Sequence, residues 1–201
     1  MQNNKTDIYC FYNEVLGLED PKLLEESVNA STVYSVKRGD YLIKSGDPLT
    51  YISFLYSDGV MRHFMISADG KEITDCFAIK RGQILWASRT LNDTVAIVTI
   101  EALTDAEVIK IPITEAFRLH KKYPELLDLE VRLSFESVDI HWNLKKIHFQ
   151  YSAMERYCWF LENYPGLIDQ INNKYIASFL DMTPVTLSRI RRKLREEGEE
   201  E

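Results

Sequence analysis

Residues 174–194 read KYIASFLDMTPVTLSRIRRKL, the pattern of two short helices joined by a tight turn. Ile176 and Leu180 are spaced as on one apolar face of a first helix. Thr183 is a good N-cap for a second helix, and Pro184 suits its first position because the N–H there has no helical partner. The stretch therefore predicts a helix-turn-helix.

The second predicted helix has an apolar side and a polar, basic side. Leu187, Ile190 and Leu194 share the apolar side. The other side carries hydroxyl and guanidinium groups, those of Thr186, Ser188, Arg189, Arg192 and Arg195. A helix with such a face after a tight turn has the geometry that enters a DNA major groove. The alternative is an ordinary helical hairpin whose basic face is only solvated.

The charge of the chain is unevenly distributed. The 201 residues carry a net charge of −7, which argues against DNA binding over the whole surface. The predicted helix-turn-helix is locally basic, however, through Lys174, Arg189, Arg191, Arg192, Lys193 and Arg195. An acidic tail follows it, made of Glu196, Glu197, Glu199, Glu200 and Glu201. A local basic face can hold DNA phosphates while the rest of the surface stays acidic.

The three cysteines, Cys10, Cys76 and Cys158, are far apart in sequence and form no CxxC pair. This spacing predicts neither a zinc site nor an iron–sulfur cluster, and we expect no metal and no cofactor. The sequence has no signal-peptide pattern at its start and no apolar run of membrane-spanning length. We therefore expect a cytoplasmic protein.

The region from about Ser31 to Ile111 has the pattern of a small antiparallel sandwich or barrel. Glycines separate short runs rich in β-branched and aromatic residues. The predicted strands are Tyr41–Lys44, Tyr51–Ser57, Val60–Ile66, Glu72–Ala78 and Ala96–Leu103. Ser67–Gly70 predicts a hairpin turn, since glycine tolerates positive φ. The first thirty residues instead have short amphipathic groups that predict helices, broken at Asp20-Pro21.

The region after Pro112 predicts one helix over Ile113–Tyr123 and a long one from Glu125 to about Phe149. The long helix has two apolar stripes. The first has coiled-coil-like spacing, and we assign the dimer interface to its residues Leu126, Leu129, Leu133, Ile140, Leu144 and Ile147. The second consists of Val131, Phe135, Val138 and Trp142. One stripe can pack on the β-domain while the other meets a partner subunit; the alternative is a helix central to a single domain.

Together, the order of these elements and several short motifs resemble the Crp/Fnr family of bacterial transcription regulators. The most specific motifs are KRGDYL at 37–42 with SGD at 45–47, DGKE at 69–72, IASFL at 176–180 and TLSRI at 186–190. The resemblance implies an α+β fold in three parts. These are a double-stranded β-helix, or jelly-roll-like β-roll, sensor domain with flanking helices (residues 1–123), a dimerisation helix (124–150) and a helix-turn-helix domain with the acidic tail (151–201).

The resemblance also implies DNA-binding roles and partners. Thr183 would hold a phosphate, while Val185, Thr186, Ser188 and Arg189 would lie along the groove. Arg189 would be the main base contact, because a guanidinium pairs bidentately with guanine O6 and N7; Arg192 would contact the DNA backbone. The implied partners are a second copy of the chain, a palindromic double-stranded operator and, for an activator, RNA polymerase.

Two departures from the family pattern concern this segment. Family members often have Arg and Glu where Pro184 and Val185 stand, so we expect a different operator. Asp181 occupies a turn position where Gly is usual, and Asp tolerates the left-handed conformation better than most residues.

The sensor region departs further. Cyclic-nucleotide binders of the family carry Gly-Glu and, further on, Arg-Ser or Arg-Thr, whereas this chain has Trp86-Ala87 and Ala96-Ile97. Arg89-Thr90 imitates the second pair but lies too early. Because a buried phosphate without a cationic partner is costly, we expect no control by cyclic AMP. The pocket of the roll is then either vestigial or an apolar effector pocket framed by Phe77, Leu85, Trp86 and Arg89.

Other functional classes have weaker support in the sequence. A β-roll also resembles cupins, which hold metals, but the four histidines are scattered and only His63 lies in the β-region. No nucleophile–base arrangement or glycine-rich phosphate loop is present in the sequence, so we expect no enzyme. The alternatives left open are a metal- or small-ligand-binding protein and a protein-interaction module, both without DNA-binding activity.

Overall fold

The computed structural model describes residues 2–88 and 93–198 of the chain. The chain forms two compact units, Met1–His63 with Phe77–Ser137 and Phe64–Cys76 with Val138–Glu201. This division differs from predicted boundaries at residues 123 and 150, because the long helix contributes to both units and a β-hairpin belongs to the second. The division into a sensor domain, a dimerisation helix and a DNA-binding domain remains a prediction about function.

The helices of the first unit begin with α1 (Gln2–Cys10), which continues into a π-helical turn (Phe11–Val15), and α2 (Pro21–Ala30). The Asp20 carboxylate caps α2 by accepting hydrogen bonds from the backbone N–H groups of Lys22 and Leu23 at 2.8 and 2.9 Å. The predicted break at Asp20-Pro21 is thus an N-cap followed by proline at the first helical position.

Within the described residues, seven strands form two antiparallel sheets. They are β1 (Thr32–Val36), β2 (Tyr41–Ile43), β3 (Tyr51–Leu55), β4 (Met61–Ile66), β5 (Glu72–Ala78), β6 (Thr99–Ala102) and β7 (Ala106–Pro112). One sheet has the order β1-β7-β3 and the other β2-β6-β4-β5. The five predicted strands are confirmed, most of them shorter than predicted, and β1 and β7 are additional. The mixed architecture with a β-roll confirms the predicted fold class.

The β1-β7-β3 sheet separates two hydrophobic cores in the first unit. Alternate residues of a strand point to opposite faces. Phe54 and Ile109 therefore pack with the helices, in a core that includes Phe11, while Leu55 and Val108 pack inside the roll. The helix α3 (Ile113–Lys122) follows β7 and adds Leu119 to the helical core.

The longest helix, α4 (Glu125–Gln150), leads into four shorter helices: α5 (Ala153–Asn163), α6 (Leu167–Gln170), α7 (Asn173–Phe179) and α8 (Pro184–Gly198). Ser152 and Glu155 form a capping box that fixes the start of α5. Aromatic rings of Phe160, Tyr164 and Phe179 pack together, with centroids 5.2–6.1 Å apart, and hold α5 and α7 in one core. None of the helices in the described ranges combines the length and apolar content that a membrane span needs.

The β4-β5 hairpin turns where the sequence predicts. Gly70 has φ +80 and donates its N–H to Ser67 O at 2.9 Å, which closes a four-residue turn. The tip and β5 as far as Cys76 belong to the second unit, where the Ser178 hydroxyl of α7 bonds the β5 backbone. Ser178 Oγ accepts from Thr74 N at 2.9 Å and donates to Glu72 O at 3.2 Å.

Candidate nucleic-acid interface

The segment α7–turn–α8 is a helix-turn-helix. Ile176, Leu180 and Leu187 are completely buried and join the two helices through their apolar sides, as the periodicity predicts. The turn passes through Asp181, which has φ +50, and closes with Met182 N donating to Ala177 O at 2.9 Å. Asp181 therefore adopts the left-handed conformation, which Asp tolerates better than most residues.

Thr183 begins α8 as its N-cap. Its Oγ1 accepts a hydrogen bond from Thr186 N at 3.1 Å, and its carbonyl accepts from Leu187 N at 3.0 Å. The hydroxyls of Thr183 and Thr186 lie 2.9 Å apart, so one can donate to the other. The predicted cap is confirmed, and it points hydroxyl groups at the start of the helix.

A residue that the sequence analysis missed supports the turn. The guanidinium of Arg156 in α5 donates to the carbonyl of Asp181 at 3.2 Å. The two residues are 25 positions apart, and no periodicity or motif links them. Arg156 stabilises the turn by contacting the backbone of its strained residue.

The outer side of α8 is open. Val185 is 59% exposed, and Ser188, Arg189 and Arg192 are exposed with it. Arg192 Nε lies 3.7 Å from Glu196 Oε1, a weak surface pair one turn along the helix. Among the described residues, no ion pair engages Arg189.

Not every arginine of α8 belongs to this side. Arg191 is partly buried and donates to Asn173 Oδ1 at 2.9 Å, which ties α8 to the start of α7. The basic run therefore divides into Arg191, which contributes to packing, and Arg189 and Arg192, which face outward. The face contains the six predicted DNA-binding residues, with Thr186 half-buried among exposed neighbours.

The four sensor positions lie together but carry no charge. Ile97 N donates to Ala87 O at 2.8 Å, so the two segments that resemble the nucleotide-binding pairs are adjacent. Ala87 is 7% exposed and Ala96 is buried in the roll interior. The side chains at 86–87 and 96–97 can neither accept from a ribose hydroxyl nor neutralise a phosphate.

Two of the residues predicted to frame an effector pocket, Leu85 and Trp86, lie on different sides of the β1-β7-β3 sheet. Phe77 and Leu85 are buried, and Leu85 packs inside the roll. Trp86 packs instead against the helical core on the other side of the β1-β7-β3 sheet. Arg89 lies outside the described residues. Leu85 and Trp86 thus face different cores, because adjacent residues of an extended chain point in opposite directions.

The two stripes of α4 differ in exposure. Leu133, Leu144 and Ile147 of the first stripe are buried in the chain itself, while Leu126, Leu129 and Ile140 are half-buried. The side of α4 that remains open to a partner is the second stripe, on which Phe135 is 70% exposed. The structure extends that stripe to include Leu127, Val131, Phe135, Val138, Trp142 and Phe149. Phe149 lies seven residues after Trp142, so heptad spacing would have identified it.

Metal-binding geometry is not apparent in the described ranges. Within residues 2–88 and 93–198, no three His, Cys, Asp or Glu side chains converge to hold an ion. His63 is a buried residue of β4, and the other three histidines lie on α3 and α4. The cysteines Cys10, Cys76 and Cys158 form no disulfide, and burial raises the pKa of the Cys76 thiol.

No protein-family model matches the sequence, and no curated protein matches it. Solved structures do match. FixK2 from Bradyrhizobium japonicum has a TM-score of 0.74 at 16% identity, over 84% of this chain and 86% of that chain. The c-di-GMP responsive global regulator CLP of Xanthomonas campestris has a TM-score of 0.73 at 14% identity, over 89% of this chain and 93% of that chain.

The chain has the Crp/Fnr fold. A CooA mutant from Carboxydothermus hydrogenoformans is a further example, with a TM-score of 0.66 at 18% identity, over 92% of this chain and 84% of that chain. In these three comparisons the likeness covers 84–92% of this chain. The Crp/Fnr resemblance read from the motifs is confirmed at the level of the fold.

Proposed function

We propose that the protein is a homodimeric, DNA-binding transcription regulator of Crp/Fnr type that cyclic AMP does not control. The observation that carries the proposal is the exposed polar and basic side of α8, on a capped helix of a helix-turn-helix. Arg189 is exposed and free of ion pairs within the described residues, as a base-contacting guanidinium must be before DNA binds. The structural neighbours support the proposal, since CLP is described as a global regulator.

Each residue of this side has a distinct role in the proposal. The Thr183 and Thr186 hydroxyls lie at the start of α8, where hydroxyls and backbone N–H groups bind a DNA phosphate. Arg189 would contact guanine in the major groove, with Ser188 beside it and Arg192 on the backbone. Val185 offers only methyl groups, which suit the methyl of thymine. We therefore expect an operator with thymine opposite Val185 and guanine opposite Arg189.

The second stripe of α4 supports a dimer. Its exposed rings and methyls recur at steps of three, four and seven residues, and Phe149 at its end is 80% exposed. Lys145 lies on the same side with its Nζ 5.0 Å from the Trp142 ring centroid. A contiguous apolar strip on a long helix favours pairing with a second copy of itself. A twofold dimer would present two α8 helices to the half-sites of a palindrome.

The uncharged sensor positions support independence from cyclic AMP. A buried cyclic phosphate needs a cation, and the side chains at 96–97 are Ala and Ile. We further propose that the protein acts in the cytoplasm and contacts RNA polymerase at promoters that it activates.

Selection of genomic DNA fragments by the purified full-length protein tests the proposal. We expect recovery of a palindrome, with binding that weakens as salt increases because phosphate contacts release counterions. Arg189→Ala should lose about 1–3 kcal/mol at one base position and relax specificity there. Arg38→Ala, an exposed arginine of the first unit, is the matched control and should leave binding unchanged. Absence of salt-dependent binding to any fragment would refute the regulator.

Light scattering of charge variants tests the dimer separately. Phe135→Glu places a carboxylate in the centre of the second stripe and should convert the dimer to monomer. Gln150→Glu adds the same charge at an exposed position of α4 outside the stripe, and this control should remain dimeric. A Phe135→Glu variant that stays dimeric would move the interface to another surface.

A further inference from the structure

The first unit contains an apolar cavity that lies outside the roll interior. Its volume is about 110 Å³, and it lies between the helical side of the β1-β7-β3 sheet and helices α2, α3 and α4. The sheet contributes Ile52, Phe54 and Ile111, while α3 and α4 contribute Ala116 and Leu129. All of these residues belong to the same compact unit.

Two polar side chains of the lining, His120 and Glu130, lie at the mouth of the cavity, whereas the polar residues Tyr12 and Ser27 are buried. Phe117 is 37% exposed, and the His120 and Glu130 side chains are 39% and 27% exposed, so this side of the cavity faces solvent. His120 Nε2 lies 2.7 Å from Glu130 Oε2. This distance is short enough for an ion pair, but the two groups are not aligned for a hydrogen bond. A polar group of a ligand at the mouth could therefore form a hydrogen bond with His120 or Glu130.

Size and lining restrict what the cavity can hold. A dry cavity of about 150 Å³ lined by Leu, Ile and Phe binds benzene, so a space of similar size suits one ring or a short aliphatic chain. A carboxylate is disfavoured, because the apolar walls leave an anion without solvation and Glu130 adds a like charge at the mouth.

We propose that this cavity is a binding site for a small, uncharged, mainly apolar molecule about the size of one aromatic ring, whose single polar group meets His120 and Glu130. The site is separate from positions 87 and 96 inside the roll, where the family resemblance would place a nucleotide. Trp86 forms part of its wall, in place of the glycine of nucleotide-binding relatives. Its occupancy does not depend on the proposed DNA binding.

Thermal unfolding of the full-length protein with phenol, toluene and benzoate tests the site. At a concentration about ten times its Kd, phenol should raise Tm by about 3–6 °C, because it binds only the folded state. Toluene should give a smaller shift than phenol, since it lacks the polar group, and benzoate should give none.

Two variants localise the binding. Ala116→Leu fills the cavity from α3 and should abolish the phenol shift while raising the Tm of the free protein. Thr114→Leu adds the same side chain at an exposed position of α3, and this control should keep the phenol shift. If Ala116→Leu does not fold, Leu129→Phe fills the same space from α4. Absence of any shift with phenol or toluene in the wild type, or an equal shift in the filled variants, would overturn the proposal.

Discussion

The outer side of α8 and the sensor positions of the roll differ in the solvent exposure of their side chains. Val185, Ser188 and Arg189 are exposed on a helix whose fold depends on its opposite side. Ala87 and Ala96 are buried, and the packing of the roll around them requires small, apolar side chains. The outer side of α8 presents an exposed arginine to a partner. The sensor positions are adjacent to one another but have no charged side chain that could bind a nucleotide.

In the function proposed above, the shared fold would keep DNA binding without a nucleotide site. The Ile97–Ala87 hydrogen bond joins the two segments, although the side chains there do not suit an anion. Function depends on the site rather than on the fold. A carboxylate introduced into each region should therefore have opposite effects on stability and on DNA binding.

Introduction of Glu at position 87 should give the largest effect. Ala87 is 7% exposed, so Ala87→Glu buries an unpaired carboxylate and should lower the free energy of unfolding by about 3–5 kcal/mol at pH 7. Burial raises the pKa of the introduced carboxyl in the folded state. The deficit should therefore be smallest below its unfolded pKa and grow as pH rises through its folded pKa. Urea unfolding at pH 4 and pH 7 measures both effects.

Val185→Glu is the matched change in the other region. Val185 is exposed in the first turn of α8, where a negative charge is compatible with the helix dipole, so stability should change by less than about 0.5 kcal/mol. Binding to the wild-type operator should instead weaken, because the carboxylate would face base edges that suit the methyl groups of Val185. A stable Ala87→Glu variant, or full DNA binding by Val185→Glu, would remove the contrast.

Loss of the α8 cap should have an intermediate effect. Thr183→Ala removes the acceptor of the Thr186 N–H and should cost about 1 kcal/mol of stability, measured by urea unfolding. The same change removes a hydroxyl proposed to contact phosphate, so DNA affinity should also fall. Thr183→Ser keeps the hydroxyl and should preserve both quantities. If Thr183→Ala lowers stability but leaves DNA affinity intact, Thr183 only caps the helix.

The helix-turn-helix was predictable from the sequence because its signals are local. The N-cap, the proline and the apolar spacing all lie within residues 174–194, and each agrees with the structure. The strands flanking the predicted ones were harder to recognise. In β1 most residues are exposed or half-buried, so its pattern lacks the regular alternation that predicts a strand.

Long-range contacts account for the remaining differences. Periodicity identified both stripes of α4, but the dimer assignment placed the partner on Leu144 and Ile147, which the chain covers. Which stripe is covered depends on tertiary packing, and helical spacing contains no information about it. Arg156 and Ser178 act through backbone atoms of distant residues, and such hydrogen bonds leave no pattern in the sequence.

The turn of the helix-turn-helix should respond weakly to substitution. Asp181 has φ +50, a conformation that glycine adopts without steric cost. Asp181→Gly relieves strain but adds flexibility to the unfolded chain, so the net gain should be about 0.5 kcal/mol by urea unfolding. Arg156 bonds the carbonyl of residue 181, which glycine retains. Asp181→Val should be destabilising, and a valine variant as stable as the glycine variant would contradict a strained turn.

Cyclic AMP should have no effect on thermal unfolding of the wild-type protein. A ligand raises Tm only if it binds the folded state, and a cyclic phosphate would need a cation inside the roll. Within the described residues, the buried Arg62 already lies 3.2 Å from the Glu101 carboxylate, so it is engaged by a carboxylate of the protein. A saturable rise in Tm with cyclic AMP would mean that another cation reaches the phosphate, and the sensor positions would then bind nucleotide by a different set of side chains. If cyclic AMP leaves Tm unchanged while phenol raises it, the first unit binds a small apolar ligand but not a cyclic nucleotide.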